Sequence, residues 1–316
     1  ILAFGMWLRP TWRVRASRSK IYRITAVDIR QPEPARVERF HIDAPVVGAS
    51  ANHFALAIRG WALAPAGQRL KTLQVLVNGR PVASAMFDQP REDVERALGR
   101  ADARSSGFAL NVGLVGLLEG QALVLAAECE DGELVPLANI RCERERPWDI
   151  EPGRITPILV VTQGRTGSTW LMRLLSRHPE VVTRDAFPYE DRPAQYWANL
   201  FKVLSDPADL ANSADSSSFF DQYSWVGKNP FFNPDDPQLA ACLGHDHVLA
   251  LARFCQDSIE RFYHCLGAAQ GKSGVRFLVE KTVGEPGAAR VLRDLFPATR
   301  RVFLVRDPRD MLSSIY

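Results

Sequence analysis

The stretch 157–175, PILVVTQGRTGSTWLMRLL, restricts the fold more than any other part of the chain. Its apolar run over 158–162 predicts a buried strand. Leu171, Leu174 and Leu175 share one helical face and predict a helix close behind it. The connecting loop holds Gly164, Arg165, Thr166, Gly167, Ser168 and Thr169. Its glycines permit a sharp turn and a close approach of backbone to ligand. The first N–H groups of a helix lack intrahelical partners and carry partial positive charge, which suits an anion. Arg165 adds a full charge, and two hydroxyls add donors. Strand, loop and helix together describe a site for a nucleotide phosphate. The blander reading, a helix start with incidental glycines, predicts no companion motif elsewhere.

A Walker loop would place Lys directly after its second glycine, to reach the outer phosphates of a nucleotide held with magnesium. Here no Lys follows Gly167, and the cation, Arg165, precedes it. The order basic-x-Gly-Ser-Thr resembles the 5′-phosphosulfate loop of the sulfotransferase family, whose donor is 3′-phosphoadenosine-5′-phosphosulfate (PAPS). The resemblance implies donor binding by Gly164 through Trp170, with Arg165 also acting on the reaction.

A companion motif closes the chain. In 301–316, RVFLVRDPRDMLSSIY, a second apolar run ends at Arg306, and Pro308 stands where a following helix would begin. Ligands of open α/β sheets gather at such strand ends. Arg306 and Ser314 resemble the family's 3′-phosphate-binding pair, a guanidinium fork with a hydroxyl beside it. An ordinary ion pair of Arg306 with Asp310 is the competing reading. The resemblance covers 158–316 and does not extend to the first half.

Sulfuryl transfer requires an aligned donor, a cation for charge growing on the leaving phosphate, and a base for the acceptor hydroxyl. The segment Phe277-Leu-Val-Glu-Lys-Thr282 resembles the E-K-[ST] segment of sugar sulfotransferases, making Lys281 the next catalytic cation. The competing reading pairs Lys281 with Glu280 or Glu285. A carboxylate after the first helix and its His178-Pro179 implies the base; Asp185 and Glu190 are both candidates, and either could instead pair with Arg184 or Arg192. The Phe-Pro-Tyr-Glu run, like one in bacterial relatives, favours Glu190. Gly244-His-Asp-His247 has too few ligand-type residues for a metal, and the inferred transfer needs none.

Of 316 residues, 46% are hydrophobic and 24% charged, enough for real cores in about two domains. A net charge of +3 gives no case for nucleic acid. Five scattered cysteines, without C-x-x-C, fit a reducing, cytoplasmic setting; one bridge between Cys129 and Cys142 stays open. Residues 1–30 read as a basic leader or linker. Their first eight residues are apolar but too few to span a bilayer, and membrane association there also stays open. Residues 31–147 read as a β-sandwich: alternating apolar runs, an Asn78-Gly79 hairpin and an Asp131-Gly132 hairpin. It weakly resembles modules found beside carbohydrate-active domains; Trp61 reads as core in preference to a sugar platform. The charged, Pro-bearing run 142–153 reads as the linker. Residues 148–316 are the expected sulfotransferase domain, with further sequence expected beyond both ends.

The expected fold is therefore α/β, a P-loop-like parallel sheet with flanking helices, preceded by a small all-β sandwich. The expected function is PAPS-dependent sulfation of a hydroxyl acceptor, a carbohydrate by the E-K-[ST] resemblance. The rivals are a P-loop kinase or NTPase and a non-catalytic glycan- or partner-binding scaffold.

Overall fold

The computed structural model describes residues 22–51, 54–117, 120–144, 152–187, 189–207, 237–283 and 287–313. Ser314 lies outside them.

Period-two patterning organises the first half. In order come β1 (Tyr22–Ile29), β2 (Arg39–Ala44), β3 (Ser50–Ala51), β4 (Ala55–Leu63), β5 (Leu70–Val77), β6 (Arg80–Met86), helix α1 (Glu92–Leu98), β7 (Gly107–Gly113), β8 (Ala122–Cys129) and β9 (Leu134–Arg144). In β5, Leu73, Val75 and Val77 point inward and are buried. Asn78 and Gly79 both take positive φ, 52° and 74°, the two-residue turn whose twist suits a hairpin. The strands pair antiparallel into two sheets, β3-β1-β9-β8-β5-β6 and β2-β4-β7. Ile58 and Phe108 of the smaller sheet share one core with Leu73, Leu125 and Leu137 of the larger. This is the sandwich that the patterning predicts. Trp61 packs beside Leu63, Val94 and Ala103, a core position. Cys129 and Cys142 are free, buried thiols.

Two boundaries differ from the reading of the sequence. Tyr22–Ile29, assigned there to the basic leader, is a strand of the larger sheet, with Tyr22 and Ile24 buried. The neighbouring arginines hid its alternation. Cys142 to Arg144, assigned to the linker, still pair with β1.

The second half alternates strand and helix: β10 (Thr156–Thr162), α2 (Ser168–Leu175), β11 (Val181–Val182), α3 (Pro193–Ser205), α4 (Pro237–Ala269), β12 (Phe277–Val283), α5 (Gly287–Leu295), β13 (Arg300–Leu304) and α6 (Pro308–Ser313). The strands form one parallel sheet in the order β11-β12-β10-β13. A strand as apolar as β10 needs cover on both faces. Val160, with Met172 of α2 and Val279 of β12, fills one face. Leu159 and Leu278 face the other, with Phe201, Tyr263 and Leu292 of α3, α4 and α5.

The halves are joined by a buried polar knot. Arg144 at the end of β9 donates to Asp294 of α5 at 2.9 Å and to the Tyr22 hydroxyl at 3.1 Å. The second oxygen of Asp294 accepts the Gly116 N–H at 2.6 Å. Gly116 has φ of +81°, and a Cβ there would stand 2.8 Å from Val291, so both conformation and contact require glycine. Among the described residues, no helix is long and apolar enough to cross a membrane.

Candidate active site

The loop 163–167 leaves the carboxyl end of β10, which is hydrogen-bonded on both sides. Two successive reversals shape it. Arg165 takes φ of 65°, uncommon for a side-chain-bearing residue, and Gly167, the N-cap of α2, takes 87°. Thr166 is buried; its hydroxyl shares a hydrogen bond with Thr162 and donates to the Gln163 carbonyl at 3.0 Å. That clip holds the turn and leaves Gly164, Arg165 and Gly167 exposed. No side chain caps α2. Its first N–H groups thus remain directed at the cleft, beside a buried Ser168 and a partly buried Thr169. Trp170 stands 69% exposed on the first turn.

From the adjacent strand end, Arg306 reaches across and donates to the Arg165 carbonyl at 3.3 Å. Its pairing with Asp310 is long, 3.9 Å, against the roughly 2.7–2.9 Å of a strong charge-assisted bond. A guanidinium held this loosely keeps donors for an anion. Arg165, Ser168, Trp170 and Arg306 line a cleft of about 910 Å³.

On the other flank of β10, Lys281 lies in register with Val160. It faces the α2 side and is 5% exposed, with its ammonium 3.1 Å from Glu190. Neighbouring strand residues point to opposite faces, which is why Lys281 does not pair with Glu280. Glu280 is buried under α3, where it accepts the Ala194 N–H at 2.6 Å, the Tyr263 hydroxyl at 2.5 Å and the Gln195 amide at 3.2 Å. Burial pushes its carboxyl up to about 7, against these hydrogen bonds, which lower it. It ties the start of α3, and with it the preceding Glu190, to the strand that carries Lys281.

The two candidate bases differ in setting. Glu190 meets Lys281. Asp185 lines the cleft and accepts from the Tyr189 phenol, a bond that raises the Tyr189 pKa above its ordinary value. Tyr189 itself takes φ of 65°, the backbone reversal that turns Glu190 toward Lys281. Neither Arg184 nor Arg192 claims a candidate carboxylate: Arg184 pairs with Asp191 at 3.1 Å, and Arg192 donates to the Glu190 carbonyl at 3.3 Å. The sequence offered Glu280 only as a rival partner of Lys281 and gave no sign of the roles of Glu280 and Tyr189 in placing Glu190. Arg173, on the exposed face of α2, and Arg177, exposed in the turn just after it, also drew no notice in the sequence, although they fall three and seven positions after Trp170. Among the described residues, no group of three ligand-type side chains could hold a metal.

The glycine-bearing loop after β10, Arg165 and Arg306 beyond two strand ends, and the buried Lys281 beside Glu190 thus gather at one end of the parallel sheet. The model of the sulfotransferase family matches residues 157–316, just over half of the chain, and the chain belongs to that family. The comparison with curated proteins gave no match.

Proposed function

We propose that the chain moves a sulfuryl group from PAPS to a hydroxyl of a carbohydrate. The observation that carries this is the Lys281–Glu190 pair set beside an uncapped helix start. PAPS would supply an activated sulfuryl group. The bond from sulfur to the bridging phosphate oxygen breaks, a bond from sulfur to the acceptor oxygen forms, and the acceptor proton passes to a carboxylate.

The α2 N–H groups, Gly164 to Thr169, and the Arg165 charge hold the 5′-phosphosulfate. Arg306 holds the 3′-phosphate, with Ser314 assigned beside it by the family resemblance. Trp170 offers an exposed ring to the nucleoside. Lys281 meets the charge that grows on the leaving phosphate, and binding of both substrates draws it off Glu190. Glu190 then takes the acceptor proton, and Asp185 orients Tyr189 next to it. Support for a sugar acceptor is the E-K-[ST] resemblance together with Phe187, 86% exposed at the cleft. The buried thiols of Cys129, Cys142 and Cys255 suit a cytoplasmic setting.

A thermal-shift titration tests the donor. 3′-Phosphoadenosine-5′-phosphate (PAP) without divalent metal should stabilise the protein by about 2.7 kcal/mol at one hundred times its dissociation constant. Stabilisation by ATP with magnesium and none by PAP would make the chain a nucleotide triphosphatase or kinase instead.

A further inference from the structure

Arg173 and Arg177 line the same cleft as Arg165 and Arg306, yet the donor has no evident use for them. We propose that they read negative charge on the acceptor, so that the saccharide receiving the sulfuryl group already carries carboxylate or sulfate. The inference rests on the sugar-sulfotransferase reading and adds the substrate class.

Position is the first argument. Arg306 belongs to the β13 flank of the loop. Arg173 belongs to the opposite flank, where its charge acts on the Tyr189 phenol held by Asp185. That flank also holds Lys281 and Glu190, where an acceptor hydroxyl must arrive. Arg173 stands about 7.5 Å along the α2 axis from Ser168, from a rise of about 1.5 Å per residue. Arg177 lies two residues past the end of the helix, Leu175. Positive charge thus runs on past the place for the phosphosulfate.

Charge balance is the second. Neither arginine forms an ion pair among the described residues, whereas the nearby Arg184, Arg276 and Arg309 pair with Asp191, Glu180 and Asp307. The carboxylate nearest Arg173 in the cleft, Asp185, is engaged by Tyr189. Four arginines against one carboxylate leave the cleft with an excess of positive charge, and such an excess gathers counter-ions. Guanidinium groups bind carboxylate and sulfate through planar paired donors. Phe187, at the same cleft, adds an apolar plate for a sugar ring.

Calorimetry on the full chain tests this, with PAP, a uronate-bearing tetrasaccharide, its carboxyl-reduced neutral counterpart and an acidic peptide of equal charge. The uronate saccharide should bind more tightly than the neutral one. The Arg173→Gln/Arg177→Gln variant should weaken it about tenfold or more, the scale of one lost charged hydrogen bond, with neutral-saccharide and PAP affinities unchanged. Single Arg173→Lys and Arg177→Lys variants, which keep the charge, should recover part of the loss. Equal weakening of both saccharides, or a tenfold loss of PAP affinity, would assign the arginines elsewhere and overturn the proposal. Preference for the acidic peptide over the saccharide would overturn it too. Absence of PAP binding in the unaltered chain would instead strike the donor reading, and the saccharide comparison would still be readable.

Discussion

The Lys281 ammonium and the Glu190 carboxylate meet at 3.1 Å across 91 residues of sequence. Lys281 is 5% exposed and Glu190 57%. The cation is therefore fixed in the sheet, while its partner can be drawn away from the solvent side. A buried cation with a releasable counter-ion is suited to charge that appears only during reaction.

Lys281→Ala should lower turnover by two orders of magnitude or more, the scale of about 10²–10³ for one lost charge-stabilising donor, and leave PAP affinity within a few-fold. Only stabilisation specific to the transition state raises the rate. Glu190→Gln should cost about 10²–10⁴ in turnover as loss of a general base, with Asp185→Asn milder. Single-turnover transfer and PAP titration on each folded variant separate these outcomes. Full turnover in Lys281→Ala would return the search to Arg165.

Arg306→Ala should weaken PAP by about 1.5–3 kcal/mol, the worth of a charged hydrogen bond. Discrimination against a nucleotide lacking the 3′-phosphate should collapse with it. Retained discrimination in a titration of both nucleotides would show that Arg306 serves only the Arg165 carbonyl and Asp310.

Asp294→Ala should destabilise the chain by about 3–5 kcal/mol, because it strands the buried Arg144 charge and the Gly116 N–H. Replacing Arg144 and Asp294 together by apolar residues of similar volume should recover much of that loss. Denaturant unfolding of the single and double variants measures it, and equal losses in both would point to packing, not to the ion pair.

Glu280 gives a pH signature. Its carboxyl lies near 7 in the folded chain, above the ordinary value of 4.5. Between those values the folded state holds a proton that the unfolded state has lost. Stability therefore falls as pH rises from about 4.5 to 7, by an amount on the order of 3 kcal/mol. Glu280→Gln should remove most of that fall. Unfolding curves at several pH values for both proteins decide it; parallel pH profiles would exclude Glu280 as the source.

The sequence carried the local signals well and the long-range ones poorly. Alternation in β5 and the Asn78-Gly79 turn specify their hairpin within a few residues, and Gly164 to Ser168 specify a loop before a helix. Such features depend on backbone conformation that neighbours dictate. The strand β1 was hidden because its alternation follows a run of arginines. The pairing of Lys281 with Glu190 was not legible, since it depends on the register of β12 and on the reversal at Tyr189. Glu280 showed only as a neighbour of Lys281; its burial arises from α3 and α4 packing over the strand.

The cleft is built from two unequal materials. Its loop and Arg306 project from hydrogen-bonded parallel strands and cannot move without the sheet. Asp185, Phe187 and Tyr189, with Glu190 directly after them, stand instead on the irregular stretches 183–187 and 189–192 between β11 and α3. On the proposed reading, Glu190 aside, substitution costs more in the donor half than in this segment. A lineage can exchange one acceptor for another by rewriting that segment together with Arg173 and Arg177, and keep its donor loop intact. Divergence within this family should then be recorded in that short segment before it is recorded anywhere in the strands.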